Sequence, residues 1–196
     1  MKFEIEIKLR LPDKLGKIRR TLHAAGFRVI KPRVHEYNIL FDNAKRTLRK
    51  HGKLLRLRRS GAHRLLTYKG PSQPSRYKKR LEVEFDLHNN GEFLEDVFTH
   101  LGYRPVFRYE KYRTEYAQPR TEGKVLLDET PVGNFLEIEG TPRWIDQAAR
   151  ELGFRHSDYI TRSYGYLYLA YCRERRITPT DMLFAVKKKK RARKKP

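Results

Sequence analysis

The run Phe3-Glu4-Ile5-Glu6-Ile7-Lys8-Leu9-Arg10-Leu11 alternates with period two. In a strand this puts Glu4, Glu6, Lys8 and Arg10 on one side and only apolar residues on the other. Two carboxylates beside a lysine can hold a divalent cation and an anionic oxygen together. Alone, the run would equally suit an edge strand with one wet face. The pattern recurs, however. Arg56 and Arg58 oppose Leu55 and Leu57, and Lys69 shares a face with Thr67. Lys78, Arg80, Glu82, Glu84 and Asp86 oppose Leu81, Val83, Phe85 and Leu87. Lys111, Arg113 and Glu115 oppose Tyr112, Thr114 and Tyr116; Asp128 sits with Leu126; Glu137 and Glu139 oppose Leu136 and Ile138.

The elements that must position these residues can be read from periodicity and punctuation. Strands are expected at 3–11, 36–42, 54–59, 64–70, 78–87, 106–117, 124–130 and 134–140. Helices are expected after Pro12-Asp13 up to Gly26, from Asn90 to Gly102, from Thr141-Pro142 to Gly153, from Ser163 to Arg173, and briefly after Thr178-Pro179. Strands in succession, mostly hairpin-connected, predict an α+β fold: an antiparallel barrel or sandwich with helices outside. The apolar faces are suited to helix cover, so the charged faces must point elsewhere. A flat sheet would offer them to solvent; a closed barrel would gather them in its lumen. Mixed charge in a lumen is tolerable only if hydrated or bridged, since burying an unpaired ion costs several kcal/mol. Helix-covered outer faces favour the lumen.

Composition narrows the partners. The chain has 196 residues, 38% of them hydrophobic, enough for one domain with a core. Charged residues reach 35%, above the usual quarter or so. The net charge of +22 implies polyanionic company such as nucleotides, polyphosphate or nucleic acid. The single Cys172 excludes an intramolecular disulfide and a cysteine zinc site, and is expected to be an inert, half-buried thiol. No apolar run approaches the roughly 20 residues of a membrane span, and no signal-peptide core follows Met1, so a cytoplasmic protein is expected. Eight basic residues lie in 187–195, and a like-charge block of this kind predicts disorder and non-specific contact with polyanions. The expected organisation is a folded domain at 1–175, a short helix within 176–186 and a basic tail at 187–196.

The order of the charged motifs resembles the CYTH superfamily, the triphosphate tunnel metalloenzymes. Glu4-x-Glu6-x-Lys8 looks like the family's N-terminal ExExK element. Arg56-x-Arg58, Lys69, Arg80-x-Glu82-x-Glu84, Lys111-x-Arg113, Asp128 and Glu137-x-Glu139 follow in the family's order, over roughly residues 3 to 170. Any one pair is weak, but seven in order are specific. The resemblance implies an eight-stranded antiparallel tunnel that takes a triphosphate and requires Mg²⁺ or Mn²⁺, as in class IV adenylyl cyclases, thiamine-triphosphatases and inorganic triphosphatases. It also implies a homodimer. Fold alone does not choose among the reactions.

The residue inventory suits phosphoryl chemistry in its own right. A triphosphate carries about four negative charges and needs rigid cations around it. Arg56, Arg58, Lys69, Arg80, Lys111 and Arg113 are assigned to it, with Lys8 as base or electrostatic guide. Hard cations prefer carboxylate oxygen, which points to Glu4, Glu6, Glu137 and Glu139 for a first metal. Glu82, Glu84 and Asp128 would hold a second ion or order the lysines by pairing. Triphosphate hydrolysis is the leading expectation, cyclisation of ATP to cyclic AMP the alternative, and a binding module without turnover the non-enzyme reading. A cyclase also needs a site for adenine, for which Tyr37, Phe41, Phe107 and Tyr109 are the aromatic candidates, though strand aromatics are more often core. His35 and His51 stand alone and are expected at the surface. Ser163 is expected to cap its helix and Tyr164 to close one end of the tunnel, with Arg162 within reach of the phosphates.

Overall fold

The computed structural model describes residues 2–88, 91 and 93–185, Lys2 by its backbone alone. Eight antiparallel strands close into a barrel: β1 (Lys2–Leu11), β2 (Arg28–Asn43), β3 (Leu54–Ser60), β4 (His63–Lys69), β5 (Lys78–His88), β6 (Tyr103–Ala117), β7 (Lys124–Thr130) and β8 (Gly133–Glu139). The order around the barrel is β1-β5-β4-β3-β2-β6-β7-β8. Closure removes sheet edges. All eight expected strands are present. β2 starts eight residues earlier than its alternation suggests, because Arg28–His35 pair with β6 alone, and Pro32 is accommodated where that register shifts.

The register sets opposite charges face to face. Glu4 lies opposite Arg80, Glu6 opposite Lys78, Lys8 opposite Glu137, Lys69 opposite Glu82, Glu36 opposite Lys111, and Arg113 opposite Asp128. Directly opposed pairs of unlike charge stabilise a sheet, so the lumen charges help to specify the pairing that encloses them.

The helices are α1 (Gly16–Ala24), α2 (Thr47–Lys50), α3 (Leu94–His100), α4 (Pro142–Glu151) and α5 (Tyr164–Glu174). α1 and α4 cover the outer faces of β1, β7 and β8, where Ile7, Leu9, Leu127, Leu136 and Ile138 pack with Leu22 and Ile145. Thr141 caps α4, its hydroxyl accepting from the Trp144 amide. A Cβ on Gly123 would stand 2.3 Å from the Trp144 ring, so α4 sits this close only because residue 123 has no side chain. α3 covers β2 and β3, with Phe98 against Phe41 at a ring separation of 4.9 Å. α5 packs at the end of the barrel, its Tyr164, Tyr168 and Cys172 clustering with Phe135 and Tyr109. Cys172 is fully buried rather than half-buried, being enclosed by that aromatic cluster.

Helix cover is incomplete. Val83 and Phe85 on the outer face of β5 are 48% and 64% exposed, contrary to the expectation that the apolar faces are all covered. The short helix expected within 176–186 is also absent from 177–185. That segment runs irregularly along β6, with the Met182 amide donating to Arg108 O at 2.9 Å and the Glu110 amide to Met182 O at 3.0 Å. β6 meets β7 only over 112–116, so backbone groups near Tyr109 need another partner, and this segment supplies it. α2 lacked a period-based signal; the Asp42 carboxylate holds it by accepting from the Leu48 and Arg49 amides. The expected helix start at Asn90 and the basic tail at 187–196 lie outside the described residues. No helix among the described residues is long and apolar enough to cross a membrane.

Candidate active site

The even-numbered positions of β1, β2, β3, β7 and, as far as Glu84, β5, with the odd-numbered positions of β4, β6 and β8, point inward. They line a cavity of about 660 Å³ along the barrel, within the ordinary range of ligand pockets. Ten bases and eight carboxylates line it, so mixed charge fills the lumen as expected. Lys8, Arg56, Arg58, Lys69, Arg80, Lys111 and Arg113 all face it, as do Glu4, Glu6, Glu82, Glu84, Glu137 and Glu139.

One wall is a closed ionic network. Asp128, fully buried, accepts from Lys111 Nζ at 2.9 Å, from Arg113 Nε at 2.7 Å and Nη2 at 2.6 Å, and from the Tyr164 hydroxyl at 2.7 Å. Glu137 binds Lys8 at 2.9 Å and also Arg113. Burial disfavours ionised Glu137, yet Lys8 and Arg113 hold it well below the usual carboxylate range. Lys8 sits between Glu137 and Glu6, the latter at 3.2 Å; burial works against its charge, but the two carboxylates raise it above the ordinary lysine range. Burial, then Asp128, pushes the Tyr164 hydroxyl well up, so it stays a donor. With its lone pairs taken by three neighbours, Asp128 orders Lys111 and Arg113, the pairing role weighed for it. Glu137, expected at the first metal, is engaged by Lys8 and Arg113, as Glu6 is by Lys8 and Lys78 and Glu4 by Lys69.

Three carboxylates converge beside this wall. Oxygens of Glu4, Glu6 and Glu139 lie within 4.8 Å of one another. Burial, then the nearby Glu4 carboxylate, pushes Glu139 up to about 8. Glu6 goes the other way: burial opposes its charge, but Lys78 and Lys8 hold it well below the carboxylate range. Crowded, half-buried carboxylates are what a hard divalent cation relieves, and an all-oxygen donor set suits Mg²⁺ or Mn²⁺. Glu82 adjoins this cluster, sharing Lys69 with Glu4 and contacting it at 2.9 Å, and burial followed by the opposing pull of Lys69 and push of Glu4 leaves it near 7. Glu84 accepts from Thr67 at 3.0 Å and Arg56 at 3.4 Å.

The facing wall keeps hydrogen-bonding capacity. Arg56 reaches Tyr109 and Thr67 through its terminal nitrogens, while its buried Nε has no partner. Arg58 donates to Asn38 Oδ1 at 3.1 Å and lies 3.3 Å from Glu36, and the Asn38 amide nitrogen is also buried without a partner. Arg80 instead spends donors on the carbonyls of Gly70 and Gly52 at 2.9 and 3.2 Å. Sequence reasoning passed over Glu36, Asn38 and Lys78 as site residues. Glu36 is buried between Arg58 and Lys111, and although burial opposes its charge these bases lower it to about 2. The signal was available in the parity of β2, where Glu36, Asn38 and Leu40 alternate with Tyr37, Ile39 and Phe41.

That parity also sorts the aromatic candidates. Phe107 and Tyr109 line the cavity, stacked with centroids 5.9 Å apart. Tyr37 and Phe41 pack outside in the cluster beneath α3 and cannot reach a ligand in the lumen. α5 seats Tyr164 in the lumen end, and Ser163 caps it by accepting from the Tyr166 amide. Past the β1–β5 pairing, which stops at the β5 start Lys78, Ile160 exchanges two backbone hydrogen bonds with Lys8 and brings the α5 start to the site. Arg162 stacks on Tyr166 beside a neighbouring cavity of about 470 Å³ that also touches Lys78 and Arg80. His35 lies on the outer side of β2 near Glu110, and His51 is exposed.

Comparison with known proteins agrees with this geometry. The CYTH domain family model matches residues 2–164. A Methanocaldococcus jannaschii protein named "Putative adenylate cyclase MJ0240" is 32% identical over 136 residues, 69% of this chain and 75% of that one. The PH1819 protein of Pyrococcus horikoshii superposes with a TM-score of 0.70 at 27% identity, covering 86% of this chain and 99% of that one. A Hippeastrum protein described as "Putative adenylyl cyclase HpAC1" that reveals a dominant triphosphatase activity has a TM-score of 0.62 at 19% identity, covering 86% and 96%, a likeness of fold alone. With its motifs in order around a closed eight-stranded barrel, the chain belongs to the CYTH family.

Proposed function

We propose that the chain is a divalent-metal-dependent enzyme that holds a triphosphate in the barrel lumen and hydrolyses it. The observation that carries this reading is the lumen itself: a cavity of about 660 Å³ with convergent Glu4, Glu6 and Glu139 and a guanidinium of Arg56 with an unspent buried donor. Phosphoryl transfer asks chiefly for positioning and electrostatic stabilisation. Arg56 and Arg58 can grip phosphate oxygens with forked donors, and Lys69 adds a point charge. Lys111 and Arg113, fixed by Asp128, supply positive potential from a wall that need not rearrange. Lys8, held charged by Glu137 and Glu6, serves as an electrostatic guide rather than a base. Tyr164 and Phe107 limit water at the α5 end. Mg²⁺ or Mn²⁺ at Glu4, Glu6 and Glu139 would draw charge from the phosphate oxygens.

A second reading, cyclisation of ATP to cyclic AMP and pyrophosphate, is favoured by the stacked Phe107 and Tyr109 on the lumen wall, an apolar surface for adenine, and by the name of the M. jannaschii relative. Incubation with tripolyphosphate and with ATP, each with Mg²⁺ or Mn²⁺, and product analysis by ³¹P NMR separates the readings. Orthophosphate and pyrophosphate from tripolyphosphate are expected. Cyclic AMP from ATP without tripolyphosphate turnover would transfer the assignment to the cyclase, and Phe107→Ala should then reduce turnover of ATP. No turnover of either would refute the hydrolase.

A further inference from the structure

We propose that His63, Asp86 and His88 form a second cation site, on the barrel surface, for a borderline metal ion of the Zn²⁺ or Ni²⁺ type. His63 opens β4, and Asp86 and His88 close the adjacent β5. One ligand atom from each lies within 4.8 Å of the other two. His63 Nδ1 is 4.0 Å from Asp86 Oδ2, and His88 Nδ1 is 3.7 Å from Asp86 Oδ1. Tetrahedral zinc with bonds of about 2.0–2.1 Å separates its ligand atoms by roughly 3.3 Å, so exposed side chains held within 4.8 Å of one another need only a rotamer adjustment to close on the ion.

The backbone places the third ligand. The register slips where Leu65 pairs with Asp86 and Arg64 with His88, and His88 takes a left-handed φ of 49°. Such a slip re-aims side chains, and here it keeps the His88 ring beside Asp86. The His88 amide donates to Asp86 Oδ1 at 2.8 Å and fixes the carboxylate, leaving Oδ2 on the His63 side.

Donor chemistry separates this cluster from the one in the lumen. Two imidazoles and one carboxylate suit zinc, nickel or copper, whereas the three glutamates suit magnesium or manganese. All three surface residues are exposed, so the ion enters without passing through the barrel. Three protein ligands leave one tetrahedral position for an exchangeable ligand.

The test is isothermal titration of the untagged full chain with Zn²⁺ in excess Mg²⁺, which occupies the oxygen cluster. One zinc per chain is expected. His63→Ala and His88→Ala should each weaken it by at least about 100-fold, more than the loss of an outer-shell partner does. His51→Ala should leave it unchanged, as should Glu139→Gln. Co²⁺ in place of Zn²⁺ should give the visible absorption of a four-coordinate ion, lost in His88→Ala. Zinc binding that survives both histidine substitutions, or that Glu139→Gln abolishes, would overturn the assignment. So would failure of the wild-type chain to bind zinc at all.

Discussion

The two walls of the lumen use the same residue types and hold them in opposite ways. On β1, β6, β7 and β8, the charges of Lys8, Lys111, Arg113, Asp128 and Glu137 neutralise one another at short range, and Tyr164 takes a further acceptor site on Asp128. On β2 and β3, buried Arg56 Nε and Asn38 Nδ2 have no partner. Buried polar groups are almost always satisfied within the protein or by what binds it. Under the proposed function, the saturated wall is scaffold with a fixed field and the unsaturated wall is the one that gives donors to the phosphate. Charge type alone does not distinguish the two; the difference lies in the number of partners each group already has.

This contrast can be broken most directly at Asp128. Asp128→Asn leaves Lys111 and Arg113 without their shared anion, and removing one partner of a buried ionic cluster costs roughly 3–5 kcal/mol. Urea unfolding should show that loss, and an unchanged midpoint would mean that the wall is not locked. Glu4→Gln and Glu139→Gln probe the convergent carboxylates. Each should reduce metal-dependent turnover by about 10²–10³, the scale of losing one preorganised electrostatic contact, with little change in unfolding. Stability loss in place of activity loss would make those residues scaffold too.

Glu36 tests the seam, because it lies 3.3 Å from Arg58 on one wall and 3.6 Å from Lys111 on the other. Its folded pKa of about 2 lies below the ordinary 4.5. A depressed carboxylate contributes stability that is complete above the unfolded value and is lost as pH falls through the folded one. The wild-type chain should therefore lose stability between about pH 4.5 and 2, and Glu36→Gln should flatten that part of the curve. Identical acid titrations for the two proteins would remove Glu36 from the seam.

Much of the site was legible before any coordinates. Period-two alternation is a local property of an extended chain, so it assigned Glu4, Glu6, Arg56, Arg58, Lys111 and Arg113 to inward faces without knowledge of their neighbours. In β2 the same alternation turns Glu36 and Asn38 inward and Tyr37 and Phe41 outward, so aromatic character alone does not mark a lumen residue. The segment after Thr178-Pro179 has the local marks of a helix start, but the backbone of β6 needs it extended. Such a demand arises only once the barrel has closed.

The sequence by itself determined that the strands each carry a charged face, that both signs share it, and that the motifs follow the family's order. Only the tertiary structure decided which charges neutralise one another. Glu137 and Glu139 stand two residues apart on one face, yet the first is bound to Lys8 and Arg113 and the second joins Glu4 and Glu6. The physical reason is range. Facing direction follows from backbone geometry within a strand, whereas pairing depends on register between strands far apart in sequence, where two residues along one face separate a carboxylate bound to bases from one crowded by other carboxylates.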